Sequence, residues 1–365
     1  MKPQSLLQLL SVFGAAALVA ACGGSAGPSV AGIDRTGAPN AASAFAFGSI
    51  SGFGSIIVNG VRYDTSGGAT FTIDDSPGSE DDLEVGDVVL VQGTLDASGT
   101  TGTAASVVFG DNVEGPIEAG SIDLVAGTLI VLGQTVRTNA GTSFDDSIPG
   151  ASLGGLVAGD VVEVSGFVDS NGNILATRIE LKAPGGELEV TGIVEGHLPG
   201  AMTFMINALV VNYAGAMLDN DFPGGVISDG DLVEAKGLTL NGLGELIATE
   251  IDFEDDQLIG NADDHVEVEG LITRFADATD FDVSGFPVMT NGQTVFEGGV
   301  AGDLGLNVKV EVEGELDANG VLVADEVDIR RDSVVEIEGL VDLTPTATTV
   351  TVLGITIHVD SLTRI

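Results

Sequence analysis

The chain has 365 residues, room for two or three ordinary domains or a longer series of small ones, and its 44% apolar content excludes a disordered polymer. Twelve basic residues stand against 55 acidic ones, a formal net charge of −43 that repels nucleic acid and anionic headgroups and favours cations or basic partners. With 53 glycines, two tyrosines and no tryptophan, the composition fits many short strands and turns, and so an all-β class.

Residues 1–21 read as an export signal: Lys2 gives a small positive start, Leu6 to Leu18 an apolar core too short for a permanent span, and Val19-Ala20-Ala21 a small-residue ending before Cys22. The pattern resembles bacterial lipoprotein signals, and the resemblance implies cleavage before Cys22 and lipidation of its thiol. Cys22 is the sole cysteine, so the folded part is expected to use neither disulfides nor thiolate metal sites. Gly23, where aspartate would mark inner-membrane retention, points to the outer membrane of a Gram-negative bacterium. Residues 22–45 are rich in Gly, Ala, Ser and Pro and read as a flexible tether.

From Ala46 the sequence repeats. The stretch Leu83 to Gly93 (LEVGDVVLVQG) returns as Leu156 to Gly166, Ile227 to Gly237 and Leu304 to Gly314. Each copy opens on a turn residue suited to positive φ (Gly86, Gly159, Gly230, Asn307) and continues as a strand with alternate apolar residues. Val89 and Val91, Val162 and Val164, Val233 and Ala235, and Val310 and Val312 share the expected core face. Gln92, Glu163, Ser165, Glu234, Lys236, Lys309, Glu311 and Glu313 face the other way, mostly polar and suited to water.

Other columns keep register with this strand. A first strand carries an internal glycine (Gly48, Gly115, Gly192, Gly270, Gly339), and two short strands follow it around a turn such as Asn59-Gly60. A last strand carries Ala-x-x-(Val or Ile): Ala104 and Val107, Ala176 and Ile179, Ala248 and Ile251, Ala324 and Val327. The repeats therefore run 46–110, 111–184, 187–262 and 264–332, with an incomplete fifth at 333–365 that is expected either to continue in a longer chain or to dock on the fourth.

Five strands in about 70 residues, the first bent at a glycine so that it can pair on both sides, predict tandem OB-like barrels, with small β-sandwich repeats as the alternative. With the lipoprotein signal, the (V/L)-E-(V/I)-x-G-(I/L)-(V/I) strand, the G-D-(V/L)-V-x-(V/A)-x-G strand and the A-x-x-(I/V) strand, the chain resembles the bacterial domain of unknown function 5666 family. That resemblance implies an exported, repeat-built protein and supplies no catalytic residue. Copy four departs from it with Asn307-Val308 in place of Gly-Asp.

Chemistry is sparse. His197, His265 and His358 occupy different columns and lack zinc spacing, Gly48-Ser49-Ile50-Ser51-Gly52 does not fit a nucleophile elbow, and no P-loop is present. The acidic loops offer clustered oxygen ligands for Ca²⁺, namely Asp74, Asp75, Glu80, Asp81, Asp82, Asp219, Asp221, Glu254, Asp255 and Asp256, although their spacing differs between copies and a solvated acidic surface is the plainer reading. A basic groove with stacking aromatics, needed for single-stranded nucleic acid, is missing. The expected function is a non-enzymatic, lipid-anchored envelope scaffold or spacer built as a row of barrels. It would need no cofactor and would meet the membrane, envelope proteins or cations. A calcium-binding module and a wall-polymer hydrolase are the alternatives.

Overall fold

The computed structural model describes residues 42–97, 99–254, 260–330, 349–352 and 355–358, and its regular structure is β-strand, interrupted by single 3-10 turns such as Glu80–Asp82 and Leu153–Gly155. In the first repeat Ala42–Gly52 pairs with Val88–Leu95 over Ala42↔Leu95 to Ser49↔Val88, then with Ile56–Val58 through Ile50↔Val58. Ile56–Val58 turns back on Val61–Asp64, which runs parallel to Thr101–Phe109, and that strand returns to Val88–Leu95. Five strands thus close into a barrel. Its first strand begins at Ala42, four residues before the expected start of the repeat at Ala46.

The same circuit recurs in the next three copies. In the second it runs through Val113–Pro116, Thr128–Val131, Gln134–Arg137, Ile174–Lys182 and Val161–Val168, closed by the bridge Ile117↔Val131. The third uses Leu188–Ile193 continued by Glu195–Leu198, then Thr203–Ile206, Leu209–Asn212, Leu246–Phe253 and Leu232–Leu240. The fourth uses His265–Asp277, Asp280–Val283, Phe286–Met289, Leu322–Arg330 and Lys309–Leu316. Of the fifth copy, Thr349–Val352 and Ile355–His358 pair as a hairpin, and its expected first strand lies outside the described residues.

The internal glycine of the first strand sits where that strand changes partners. Gly48 pairs with Val89 and Ile50 with Val58; Gly270 pairs with Val310 and Ile272 with Val283. A Cβ at Gly48, Gly115 or Gly270 would overlap the side chain of Asn59, Leu132 or Ser284, the residue that turns the second strand into the third. Glycine therefore allows the first strand to bend and leaves room for the turn that closes the barrel end.

The strand-end glycine has a different cause. In all four copies the ladder slips there, between Gln92 and Gly93, Ser165 and Gly166, Lys236 and Gly237, and Glu313 and Gly314. The last strand carries the extra residue (Ala105, Thr177, Thr249, Asp325), a β-bulge. This accounts for the three-residue step from Ala104 to Val107: an interval of three places strand residues on opposite faces, and the bulge returns both to the core, where they are 3% and 0% exposed. At the bulge the strands approach so closely that a Cβ on Gly93, Gly166, Gly237 or Gly314 would overlap the carbonyl oxygen of Thr103, Leu175, Ile247 or Val323.

The expected core face is confirmed, since Val89, Val91, Val162, Val164, Val233, Ala235, Val310 and Val312 are all buried. The opposite face departs from expectation. Glu163, Ser165, Glu234 and Lys236 are buried as well, because neighbouring barrels cover them.

The barrels are not threaded in a row. The first strands of repeats one and four lie side by side in parallel, Ala44↔His265 to Phe47↔Val268, and those of repeats two and three pair antiparallel through Val113↔Val190 and Glu114↔Glu189. Phe167 joins the two pairs. It is 1% exposed and packs with Val88 of repeat one and Leu271 of repeat four, edge-on to Phe47 and beneath the Lys309 ammonium at 5.0 Å. The Val88 N–H donates to Ser165 Oγ at 2.8 Å, and the Ser170 N–H donates to Asn307 Oδ1 at 2.8 Å.

Candidate functional site

The covered outer faces of repeats two and three concentrate charge where repeats one, two and three meet. Val161–Val168 and Leu232–Leu240 are organising strands whose outward positions carry Glu163, Glu234 and Lys236, and the adjoining strands supply Glu114, Glu180, Lys182, Glu189 and Asp252. Repeat one contributes Asp74 and Asp75 from the turn after Thr70–Ile73, both with positive φ. Asp111 lies in the connector between repeats one and two, whose backbone is pinned on repeat three by the Thr191 N–H donating to the Asn112 carbonyl at 3.0 Å.

Two lysines answer this charge. Lys236 Nζ lies 2.6 Å from Glu234 Oε2, 2.6 Å from Asp75 Oδ2 and 3.9 Å from Glu189 Oε1. Burial works to discharge this ammonium, but the Glu234 and Glu189 carboxylates and the hydrogen bond to Asp75 outweigh it and hold the pKa above the ordinary lysine range. Lys182 Nζ sits 2.6 Å from Glu163 and 3.4 Å from Glu180 and is raised for the same reasons.

The carboxylates outnumber these partners, and several are driven toward the protonated form. Burial, then a hydrogen bond with Glu234, pushes Glu189 far up. Burial first, and neighbouring carboxylates after it, push Glu114, Asp252 and Glu254 each up to about 7. Asp111 is displaced well upward by complete burial and by Glu163, Asp74, Glu114 and Glu234. Its Oδ1 has no hydrogen-bond partner, although the residue is only 4% exposed.

Three groups of carboxylate or imidazole ligand atoms lie within 4.8 Å of one another among the described residues. They are Asp111 with Glu114 and Glu163, Asp75 with Glu234 and Asp252, and His265 with Glu267 and Glu313. His265 Nε2 is 3.2 Å from Glu267 and 3.7 Å from Glu313, at the junction of repeats one and four, and the Glu267 hydrogen bond and charge raise its pKa against the effect of burial. His197 Nε2 is 2.7 Å from the Tyr213 hydroxyl.

Of the loop residues proposed from the sequence for Ca²⁺, Asp74 and Asp75 belong to this junction. Glu80, Asp81, Asp82, Asp219 and Asp221 lie apart from it or in their own turns. Asp82 accepts from the Ser79 N–H and hydroxyl at 2.8 and 2.9 Å, Glu80 accepts from Thr65, Asp219 accepts from the Asn220 N–H at 2.5 Å, and Asp81 and Asp221 are exposed. Glu254 lies at the edge of the junction near Glu234. Asp255, Asp256 and Cys22 are outside the described residues. Sequence reasoning missed Asp111, Glu114, Glu163, Glu189 and Glu234. The available signal was the pairing of outward acidic positions with Lys182 and Lys236 in a chain with only 12 basic residues.

Closed five-stranded barrels repeated along the chain and fused through their outer faces define an all-β tandem-repeat protein. The model of a family described as a domain of unknown function (DUF5666) matches residues 48–107, 114–180 and 261–328, more than half of the chain, and the chain belongs to that family. The repeat at 187–262 lies between two of the matched segments and forms the same circuit. No curated protein matches the chain.

Proposed function

We propose that the chain is a non-enzymatic cell-envelope protein, anchored by a lipid on Cys22, whose barrels form a single acidic interaction head for cationic or basic partners. The observation that carries this reading is the parallel pairing of the first strands of repeats one and four, Ala44↔His265 to Phe47↔Val268. A spacer separates its two ends, whereas here the first and fourth units are hydrogen-bonded to each other. The net charge of −43 supports long-range attraction of positive partners.

Two measurements test it. Solution scattering of the mature chain should give a radius of gyration near that of one folded body, about 20 Å for the 344 residues from Cys22, against about 30 Å for four barrels in a row. Cys22→Ala should move the exported protein from the membrane fraction to the soluble fraction. A wild-type protein recovered in the soluble fraction would overturn the anchor, and the larger radius would overturn the head.

A further inference from the structure

We propose that Asp111, Glu114 and Glu163 form a binding site for a hard divalent cation, Ca²⁺ in preference to Mg²⁺, which locks the connector between the first and second barrels onto the organising strand of the second. The site differs from the exposed acidic loops and does not depend on the lipid anchor.

Geometry is the first support. One carboxylate oxygen from each residue lies within 4.8 Å of the others. A calcium ion holds oxygens at about 2.3–2.6 Å, so two ligands on opposite sides of it stand about 5 Å apart, and the three groups already occupy that range.

The second support is the unpartnered Asp111 oxygen. Buried polar atoms are nearly always satisfied by protein, water or an ion. Asp111 is 4% exposed and its Oδ1 has no hydrogen-bond partner, while its own backbone N–H donates to Asp74 Oδ1 at 3.3 Å and keeps a further carboxylate beside it. A group in this position needs positive charge. Lys182 contacts Glu163 at 2.6 Å and Glu180 at 3.4 Å; its charge is felt at Glu114, but among the described residues it forms no ion pair with Glu114 or Asp111.

The ligands are all oxygen, which selects a hard cation. A largely buried set of carboxylates favours Ca²⁺, with its flexible coordination, over Mg²⁺, which gives up water reluctantly. The other two groups are less suited: Lys236 pairs at 2.6 Å with two of the three carboxylates in the Asp75, Glu234 and Asp252 cluster, whereas Lys182 pairs with Glu163 alone of the proposed ligands, and His265 is bonded to Glu267.

The test uses the full mature chain stripped with EDTA and titrated calorimetrically with CaCl₂ and separately with MgCl₂ at pH 7, in buffers of different ionisation heat so that released protons are counted. One saturable Ca²⁺ site with proton release is expected, with at least tenfold weaker binding in Asp111→Asn and in Glu163→Gln. Asp81→Asn, in an exposed loop, should bind as the wild type does. In EDTA, Asp111→Asn should melt no lower than the wild type, because the amide has the same shape and never has to carry the charge that burial and the neighbouring carboxylates oppose. Should that variant fail to fold, the more exposed Glu114→Gln takes its place with the same expected loss. Lack of Ca²⁺ binding at millimolar concentration, equal unsaturating heats with both ions, or affinity within twofold of wild type in the folded variants would each overturn the site.

Discussion

Replacing Lys236 with Met tests whether the buried junction is held by charge balance. The side chain keeps a similar length and packing, but its ammonium is lost from between Glu234 and Asp75, each 2.6 Å away, and from Glu189 at 3.9 Å. At an effective dielectric of about 20, one such contact is a Coulomb attraction of roughly 6 kcal/mol, most of it offset by the cost of taking both charges out of water. Asp75 is exposed and contributes little of the net effect. Removing one partner of a buried pair typically costs about 3–5 kcal/mol, and that range is expected at pH 8.

The sign of the pH dependence is a sharper check on the same variant. Burial raises Asp252 and Glu254 to about 7, so between pH 4 and 7 the folded protein holds more protons than the unfolded chain. The stabilising contribution of that protonation is complete at the acid end and is lost as pH rises through 7, by about 1–2 kcal/mol per group once partial exposure is allowed for. Without Lys236 these carboxylates, and Glu189 with them, resist ionisation further. Urea denaturation of wild type and Lys236→Met at pH 5, 6, 7 and 8 should therefore show a small stability gap at pH 5 that widens steadily to pH 8. A gap that is constant with pH, or widest at pH 5, would refute the reasoning.

Gly166→Ala should cost about 1–3 kcal/mol in chemical denaturation, because the added Cβ meets the Leu175 carbonyl oxygen at the bulge rather than a movable side chain. Gly159→Ala makes a useful contrast: nothing lies within 4 Å of its Cβ position, and any cost comes from its φ of 90°. Phe167→Ala should cost about 3–5 kcal/mol and should loosen the junction of repeats one, two and four before the barrels themselves, visible as early amide exchange in Val88, Leu271 and their neighbours. Uniform exchange across all four barrels would count against that role.

The chain by itself determined the unit. Period-two alternation in Val89 and Val91 and its later copies, the glycine columns and the Ala-x-x-(Val or Ile) step are local consequences of a strand with one apolar face, and each is legible because it recurs. Even the bulge left its mark, as an interval of three between Ala104 and Val107 in a strand whose faces alternate every residue. Which outer faces are covered was decided by the tertiary structure. Glu163 and Glu234 read as solvent-facing because a strand's polar face carries no record of what packs on it, and a residue's partner in another repeat can lie far along the chain, as Asp75 does from Lys236. Phe167 is the aromatic member of a column that holds Thr94, Leu238 and Glu315 elsewhere, yet apolar character there does not by itself mark a covered face, since Leu238 is exposed. The pairing of repeat one with repeat four, and the acidic junction of repeats one to three, arise from contacts of high sequence separation. Hydrophobic period and turn chemistry act over a few residues, so they specify a barrel and leave the assembly of barrels to the packing of their outer faces.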